Sequence, residues 1–172
     1  MKKLSLKNKK GFTIIESMIS VLMLAVVIAA VSGLVQRSLA TNYFSKEQII
    51  ANYLAGEAVE YVRHVRDSNF IANNDWLTGI ADCFDTVCKV DTVNNSMSMC
   101  DLANGDCRLY FTDDDQGGYY SYNGSVLSNY TRTVEIKVIS ENEFAVIVTI
   151  QGESGLFSRI PLVVVEHMTN WY

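Results

Sequence analysis

The feature that most constrains this chain is an uninterrupted apolar segment close to its N-terminus. Residues 12–35 contain no basic residue and a single acid, Glu16. These 24 residues would form about 36 Å of helix, enough to cross a hydrocarbon core of about 30 Å. The eleven residues before them contain five lysines and no acid. The positive-inside rule therefore places the N-terminus in the cytoplasm and the rest of the chain across the membrane.

A helical spacing of apolar residues continues beyond this segment. The residues at that spacing are Leu39, Tyr43, Ile50, Leu54, Ala58, Tyr61 and Val65. The pattern predicts one helix of about 55 residues, from Phe12 to about Arg66, where a run of polar residues breaks it. A domain of this size cannot bury a helix roughly 80 Å long. The first half of the helix therefore requires lipid or other copies of itself.

The rest of the chain divides into an acidic segment and a series of strands. Residues 67–115 contain ten acids, two bases and all four cysteines without a sustained period, which predicts an irregular, solvated segment. The strand candidates are residues 108–112, 118–122, 131–140, 143–151 and 157–168. Alternation places Val134, Ile136 and Val138 on one face, and Phe144, Val146, Val148 and Ile150 on one face of the next strand.

Turns at residues 140–143 and 151–156 join these strands into an antiparallel meander. Pro161 cannot donate a hydrogen bond to a sheet, so we expect it at an edge or a bulge. The apolar face of the sheet must be covered, and the helical stripe from Leu39 to Val65 is the only long helical face available. The sequence thus predicts an α+β fold.

The distribution of charge excludes one class of function. The whole chain has a net charge of −5, but without its first eleven residues it has 9 bases and 19 acids, a net charge of −10. Such an acidic chain gains nothing from the counterion release that drives nucleic-acid binding, so general binding to DNA or RNA is disfavoured. Four cysteines between positions 83 and 107 indicate an oxidising compartment.

The junction between the basic leader and the apolar segment carries a specific motif. Residues 9–17 are Lys-Lys-Gly-Phe-Thr-Ile-Ile-Glu-Ser. A short basic leader ending in glycine, then phenylalanine, then glutamate at the fifth place after the glycine, resembles the prepilin leader of type IV pilins and pseudopilins. The resemblance covers residues 9–35 closely. The rest resembles the type IV pilin fold in architecture, and residues 56–70 and 163–172 resemble parts of minor pilins.

This resemblance implies a processing reaction and a domain organisation. A prepilin peptidase, which is a membrane aspartic enzyme, would cut between Gly11 and Phe12 and methylate the new amine of Phe12. The implied parts are a removed leader (1–11), a transmembrane and filament-core helix (12–35), an amphipathic helix (36–66) and an exported domain (67–172). Glycine suits a cleavage site because its lack of a side chain lets another backbone approach closely.

The resemblance also implies a location and a set of partners. The chain would be a single-pass inner-membrane protein with its N-terminus inside, which then joins an extracellular filament. Its partners would be other pilin subunits, prepilin peptidase, the inner-membrane assembly machinery and, before assembly, lipid. No cofactor is expected. Two alternatives stay open: a pseudopilin of a type II secretion or DNA-uptake system, and a tip adhesin or receptor whose exposed cysteine segment binds a ligand.

Glu16 is the second informative residue of the motif. A carboxylate in an apolar segment costs up to about 3 kcal/mol at mid-bilayer, so it marks a functional site by default. The resemblance supplies its partner, the positive amine of Phe12 on the same or a neighbouring subunit. Two unit charges about 4 Å apart attract by roughly 4 kcal/mol at an effective dielectric near 20, although desolvation offsets part of this.

Two other interpretations of the N-terminus compete with this one. The sequence Ser38-Leu39-Ala40 has the form of a signal-peptidase site, and cleavage there would leave Thr41 as the first residue. An uncleaved anchor would instead retain Met1. The signal-peptidase interpretation leaves the Gly11–Phe12 junction and Glu16 without a role.

The cysteine spacing favours disulfides over zinc. Four, eleven and six residues separate consecutive cysteines, and no histidine lies near them in sequence, unlike the paired short spacings of zinc sites. Of the three possible pairings we prefer Cys83 with Cys88 and Cys100 with Cys107, which would close two small loops. A nested pairing stays open.

The remaining polar clusters favour no enzyme class. Asp113, Asp114 and Asp115 suggest calcium, but the residues that follow fail the EF-hand pattern, so a solvated turn is preferred. His64 and His167 have no candidate nucleophile beside them in sequence. No nucleophile elbow, phosphate-binding glycine loop or H-E-x-x-H motif occurs, so an enzyme is not expected.

Overall fold

The structure, a computed structural model, describes residues 11–114, 117–153 and 158–170. The chain forms two compact units, Met1–Tyr43 (the N-terminal unit) and Phe44–Tyr172 (the C-terminal unit). One helix, α1, spans Ile14–Ile71. Apart from Gly11, the predicted leader lies outside the described residues. The long N-terminal helix and an antiparallel sheet confirm the predicted α+β, type IV pilin-like architecture.

The helix ends later than the sequence predicts. It continues to Ile71, five residues beyond Arg66. The polar residues Asp67, Ser68 and Asn69, which the sequence predicts would break the helix, remain helical. The side-chain amide of Asn69 donates a hydrogen bond to the Thr78 carbonyl at 2.7 Å, which links the segment after the helix to its last turn. Two residues after the helix ends, Asn73 has a φ of 55°, the left-handed conformation that commonly follows the end of a helix.

The helix face that covers the sheet differs from the predicted stripe. In the C-terminal unit the buried helical residues are Ala51, Leu54, Ala55, Ala58, Val59, Val62 and Arg66. Leu39 and Tyr43 belong to the N-terminal unit and are exposed. Three of these buried residues are alanines, and the larger Ile50, Tyr61 and Val65 are partly buried against the same core.

In the described part of the C-terminal unit, seven strands form one sheet. They are β1 (Val87–Asp91), β2 (Ser96–Met99), β3 (Arg108–Asp114), β4 (Gly117–Ser121), β5 (Val126–Ser140), β6 (Glu143–Gly152) and β7 (Leu162–Thr169). The long strand β5 pairs on one side with β1 and β3 and on the other with β6, and every pairing between strands is antiparallel. One lateral edge is therefore β7, and the opposite edge is shared by β2 and β4.

The acidic cysteine segment is more regular than predicted. A short 3-10 helix, Ala81–Cys83, and the strands β1 and β2 lie in a region where the sequence predicts only irregular structure. Neither strand shows a usable alternation, because β1 is buried at three of its five residues and β2 has only four residues. The two strands are stabilised because β1 pairs with β2 and also with β5. Such pairing between distant residues cannot be seen in a local sequence pattern.

The strands near the C-terminus agree more closely with the alternation. Phe144, Val146, Val148 and Ile150 are buried, as predicted, and the turn between Ser140 and Glu143 joins β5 to β6. Val138 is 50% exposed and does not join Val134 and Ile136 in the core. The predicted turn at 151–156 is partly wrong, since β6 continues to Gly152, and residues 154–156 lie outside the described residues. Pro161 immediately precedes the edge strand β7.

The core contains one fully buried charge that the sequence does not reveal. Arg132 on β5 is 0% exposed. Its guanidinium donates to the Val90 carbonyl at 2.6 Å, the Leu54 carbonyl at 3.1 Å and the Glu57 carboxylate at 3.2 Å. It also donates to the Tyr122 hydroxyl, so a single side chain joins α1, β1 and the core.

Candidate processing and assembly site

The predicted cleavage junction precedes the helix. Gly11, Phe12 and Thr13 have no regular secondary structure, and Phe12 is 71% exposed. A Cβ atom added to Gly11 would meet nothing within 4 Å. The chain itself therefore does not require glycine here, so a requirement for glycine would come from the protein that binds this junction.

Thr13 is a functional candidate that the sequence analysis missed. The Glu16 amide donates to the Thr13 hydroxyl at 3.4 Å, and the Ser17 amide donates to the Thr13 carbonyl at 3.2 Å. A threonine followed three residues later by glutamate is the capping-box pattern of helix N-termini. That spacing was visible in the sequence and predicts that α1 begins directly after Thr13 rather than at Phe12.

Glu16 lies in the first turn of α1 and is exposed. A carboxylate there interacts favourably with the positive end of the helix dipole. Within residues 11–114, 117–153 and 158–170, no basic side chain forms an ion pair with Glu16. Glu16 and Phe12 are four residues apart, a distance of about one helical turn in sequence.

The apolar segment presents its side chains to its surroundings. Every described residue of the N-terminal unit is exposed, and the helix is long and apolar enough to cross a membrane. Its hydroxyls are satisfied internally: Ser17 donates to the Ile14 carbonyl, Ser20 to the Glu16 carbonyl and Ser32 to the Ile28 carbonyl, at 2.7–2.8 Å. Satisfied hydroxyls remove a cost that would otherwise oppose burial in lipid or against other helices.

Two disulfides lie side by side in the C-terminal unit. Cys83 pairs with Cys88 and Cys100 with Cys107, with Cα–Cα distances of 5.8 and 5.4 Å, and these are the pairings preferred from the sequence. Cys88 lies opposite Met99 across β1 and β2, and the Cys100 amide donates to the Val87 carbonyl at 3.0 Å. The hairpin β1–β2 therefore brings the two bridges together.

The loop closed by Cys100 and Cys107 is ordered by its own acids. Asp101 accepts from the Ala103 amide at 2.8 Å and from the Asn104 side chain at 2.5 Å. Asp106 forms an ion pair with Lys89 of β1 at 2.6 Å. Asp101 and Asp106 therefore hold this loop in one conformation, in addition to making it hydrophilic.

The other candidate residues form no combined site. Asp113 and Asp114 end β3, while Asp115 lies outside the described residues. Among the described residues no group of three histidine, cysteine or acidic side chains could hold a metal ion. His64 is exposed on α1, and Nδ1 of His167 lies 2.7 Å from Glu143 on the open face of the sheet. The structure brings neither histidine to a nucleophile in the described part of the chain.

Comparison with known proteins identifies the N-terminus. A family model described as "Prokaryotic N-terminal methylation motif" matches residues 6–32. The matched region contains the glycine–phenylalanine junction, Thr13, Glu16 and most of the apolar segment. No curated protein and no solved structure matches the chain significantly.

Proposed function

We propose that this chain, which carries the prepilin-type leader of type IV pilins and pseudopilins on a pilin-like α+β fold, is a structural subunit of a type IV pilus or pilus-like filament. The observation that carries the proposal is the methylation motif at residues 6–32, which covers the cleavage junction and the first part of an exposed apolar helix. This motif indicates a structural protein rather than an enzyme, and it implies processing by prepilin peptidase and assembly with other pilins.

The proposed mechanism begins with cleavage after Gly11. Removal of residues 1–11 takes away five lysines and leaves a positive amine on Phe12. Glu16 would neutralise this amine on its own or a neighbouring subunit, since it has no basic partner among the described residues. The neutralised N-terminus could then leave the membrane interface at a lower desolvation cost.

On assembly, the apolar side chains of the N-terminal helix lose their contacts with lipid and gain contacts with other subunits. Before assembly the exposed residues of the helix between Phe12 and Val35 contact lipid, and in the filament they contact the same helices of neighbouring subunits. We propose that residues 36–66 continue this helix as its amphipathic part and that residues 67–172 form an exported domain. The location follows: inner membrane with the N-terminus inside, then an extracellular filament.

Mass spectrometry of filaments sheared from the cell surface tests this proposal. The expected result is a chain that begins at N-methylated Phe12 and is recovered in polymers. A chain beginning at Thr41 would establish a signal-peptidase product, and one that retains Met1 would establish an uncleaved anchor. Either result, or absence of the chain from every filament fraction, would overturn the proposal.

The pseudopilin alternative shares the leader and the processing step. A short periplasmic assembly would keep the processed chain in the cell envelope, whereas a pilus would release it with intact filaments. The ratio of methylated Phe12 peptide in sheared filaments to that in the envelope therefore separates the two assemblies.

A further inference from the structure

A cleft rich in tyrosine opens between α1 and one edge of the sheet. It has a volume of about 440 Å³, and its wall includes Ile50, Tyr53, Glu57, Val93, Tyr119 and Tyr120. Tyr53 is 77% exposed and Val93 54% exposed, so the mouth of the cleft presents large apolar and aromatic groups. We call this the tyrosine cleft. Tyrosine faces and apolar walls of this kind bind cationic and apolar side chains.

The charges around the tyrosine cleft are mainly negative. Glu57 lines it, and Asp91 caps the turn that contains Val93. Arg132 offsets one of these two charges through its ion pair with Glu57. A net negative charge remains, which favours a cation as the occupant.

The same chain carries a matching group on its other edge. The turn Arg159–Pro161 precedes β7 and is exposed, with Ile160 60% exposed. Within the described part of the C-terminal unit, Arg159 and Lys46 are the exposed arginine and lysine side chains that form no ion pair. The turn, which we call the Arg159 turn, therefore presents an unpaired cation next to an apolar side chain.

The two surfaces lie on opposite edges of the sheet, both toward the start of β5 from Arg132. Leu162 pairs with Ile150, which pairs with Arg132, so the Arg159 turn lies just beyond the level of Arg132. On the other edge, Arg132 donates to Val90, and the chain reaches Val93 three residues later. Tyr120 pairs with Phe111, which pairs with Val126, so this part of the cleft wall lies six residues before Arg132 along β5.

We infer that the Arg159 turn of one copy docks in the tyrosine cleft of a second copy of this chain. The inference rests on the proposed function, and it names a contact between C-terminal units that is additional to the helix contacts. Charge complementarity and apolar complementarity both favour this occupant. Because the two surfaces differ, the contact is head-to-tail and can repeat without closing, as a filament requires.

Photo-crosslinking in the full chain tests this contact. Val93 is replaced by the photoreactive residue benzoylphenylalanine, cells carrying the processed chain are irradiated, and adducts are identified by mass spectrometry. The expected product joins residue 93 of one copy to the peptide that contains Arg159 of another, distinguished from an intramolecular product by differently tagged copies. An adduct with another protein, an adduct with a different part of a second copy, or no adduct would overturn the inference.

Charge variants sharpen the result. Arg159→Glu should lower the adduct yield on the order of fivefold or more, since it places a like charge against the cleft, whereas Arg159→Lys should retain most of it. Lys137→Glu is the matched control, because Lys137 is exposed and pairs with Glu135 away from the cleft. An equal loss in Arg159→Glu and Lys137→Glu would show a general charge effect and would also overturn the inference.

The same preparation separates this inference from the proposed function. Methylated Phe12 in filaments without the adduct would leave the filament function intact and remove the docking contact. Absence of the chain from filaments, together with the expected adduct in membranes, would remove the filament function and leave the contact.

Discussion

Arg132 and Glu57 form an ion pair that joins the sheet to the helix, with the Arg132 guanidinium 3.2 Å from the Glu57 carboxylate. Glu57 also accepts a hydrogen bond from the hydroxyl of Thr92, the residue that directly follows β1. The guanidinium is fully buried, so its remaining donors must be satisfied by protein, and the Val90 and Leu54 carbonyls satisfy them. This group fixes how α1 packs on β1 and β5 within the C-terminal unit.

Replacing Arg132 with alanine should destabilise the C-terminal unit strongly. The substitution removes the guanidinium donors of the Val90 and Leu54 carbonyls, and each buried polar group left unsatisfied costs about 1–3 kcal/mol. Denaturant unfolding of the full chain in detergent measures the loss. Lys137→Ala on the exposed Lys137–Glu135 pair should change the free energy of unfolding by less than about 0.5 kcal/mol. Similar losses in the two variants would contradict this role of Arg132.

Replacing Glu16 with alanine should impair assembly without preventing processing. The cleavage junction at Gly11 remains, but the positive amine of Phe12 loses its proposed partner. Even after desolvation, a net attraction of about 1.4 kcal/mol would correspond to a tenfold change in incorporation. The measurement is the ratio of methylated Phe12 peptide in sheared filaments to that in membranes. Glu141→Ala, an exposed acid in the β5–β6 turn, is the control. Normal incorporation of Glu16→Ala would remove this residue from the mechanism.

Removing the Cys100–Cys107 disulfide should lower stability moderately. A bridge that closes such a short loop restricts the unfolded chain by about 2–3 kcal/mol. The double variant Cys100→Ala and Cys107→Ala should therefore unfold at lower denaturant concentration than the unmodified chain. Ser96→Ala on the exposed strand β2 provides the comparison. An unchanged unfolding midpoint in the double variant would show that the hydrogen bonds of the Asp101 loop suffice without the bridge.

Tyr130 should make stability fall at high pH. Burial first, and then the charges of Tyr120 and Glu47, raise the pKa of Tyr130 from its ordinary value near 10 to about 12. Because the folded pKa is the higher one, this stabilisation is complete below pH 10 and is lost as the pH rises through about 12.

The corresponding experiment compares the unmodified chain with Tyr130→Phe. The difference between their free energies of unfolding should shrink across that pH interval, and the tyrosinate absorbance of the folded variant should lose the component of one tyrosine that titrates near pH 12. A constant difference across the interval would show that Tyr130 ionises equally in the folded and unfolded chain.

The strands illustrate where local sequence information suffices. β6 was predicted because Phe144, Val146, Val148 and Ile150 alternate with polar residues, and that alternation reflects a strand with one buried face. β1 and β2 were missed because they are short and take their stability from neighbouring strands and from the adjacent disulfides.

The candidate sites divide in the same way. Gly11, Phe12 and Glu16 were found from the sequence because they form a contiguous motif, and the capping role of Thr13 was legible in the same nine residues. The tyrosine cleft was not predictable, since its wall combines Tyr53 of α1, Val93 of a turn and Tyr119 of β4. No sequence spacing relates three such positions.

The sequence by itself determined the leader motif, the long helix and the antiparallel strands near the C-terminus, because each depends on residues close together in the chain. Only the tertiary structure decided which helical face is buried, that Arg132 lies in the core, and that the cleft and the Arg159 turn occupy opposite edges of the sheet. These relationships depend on packing and strand register, which bring together residues far apart in sequence. Contacts of this kind do not produce a periodic pattern in the local sequence.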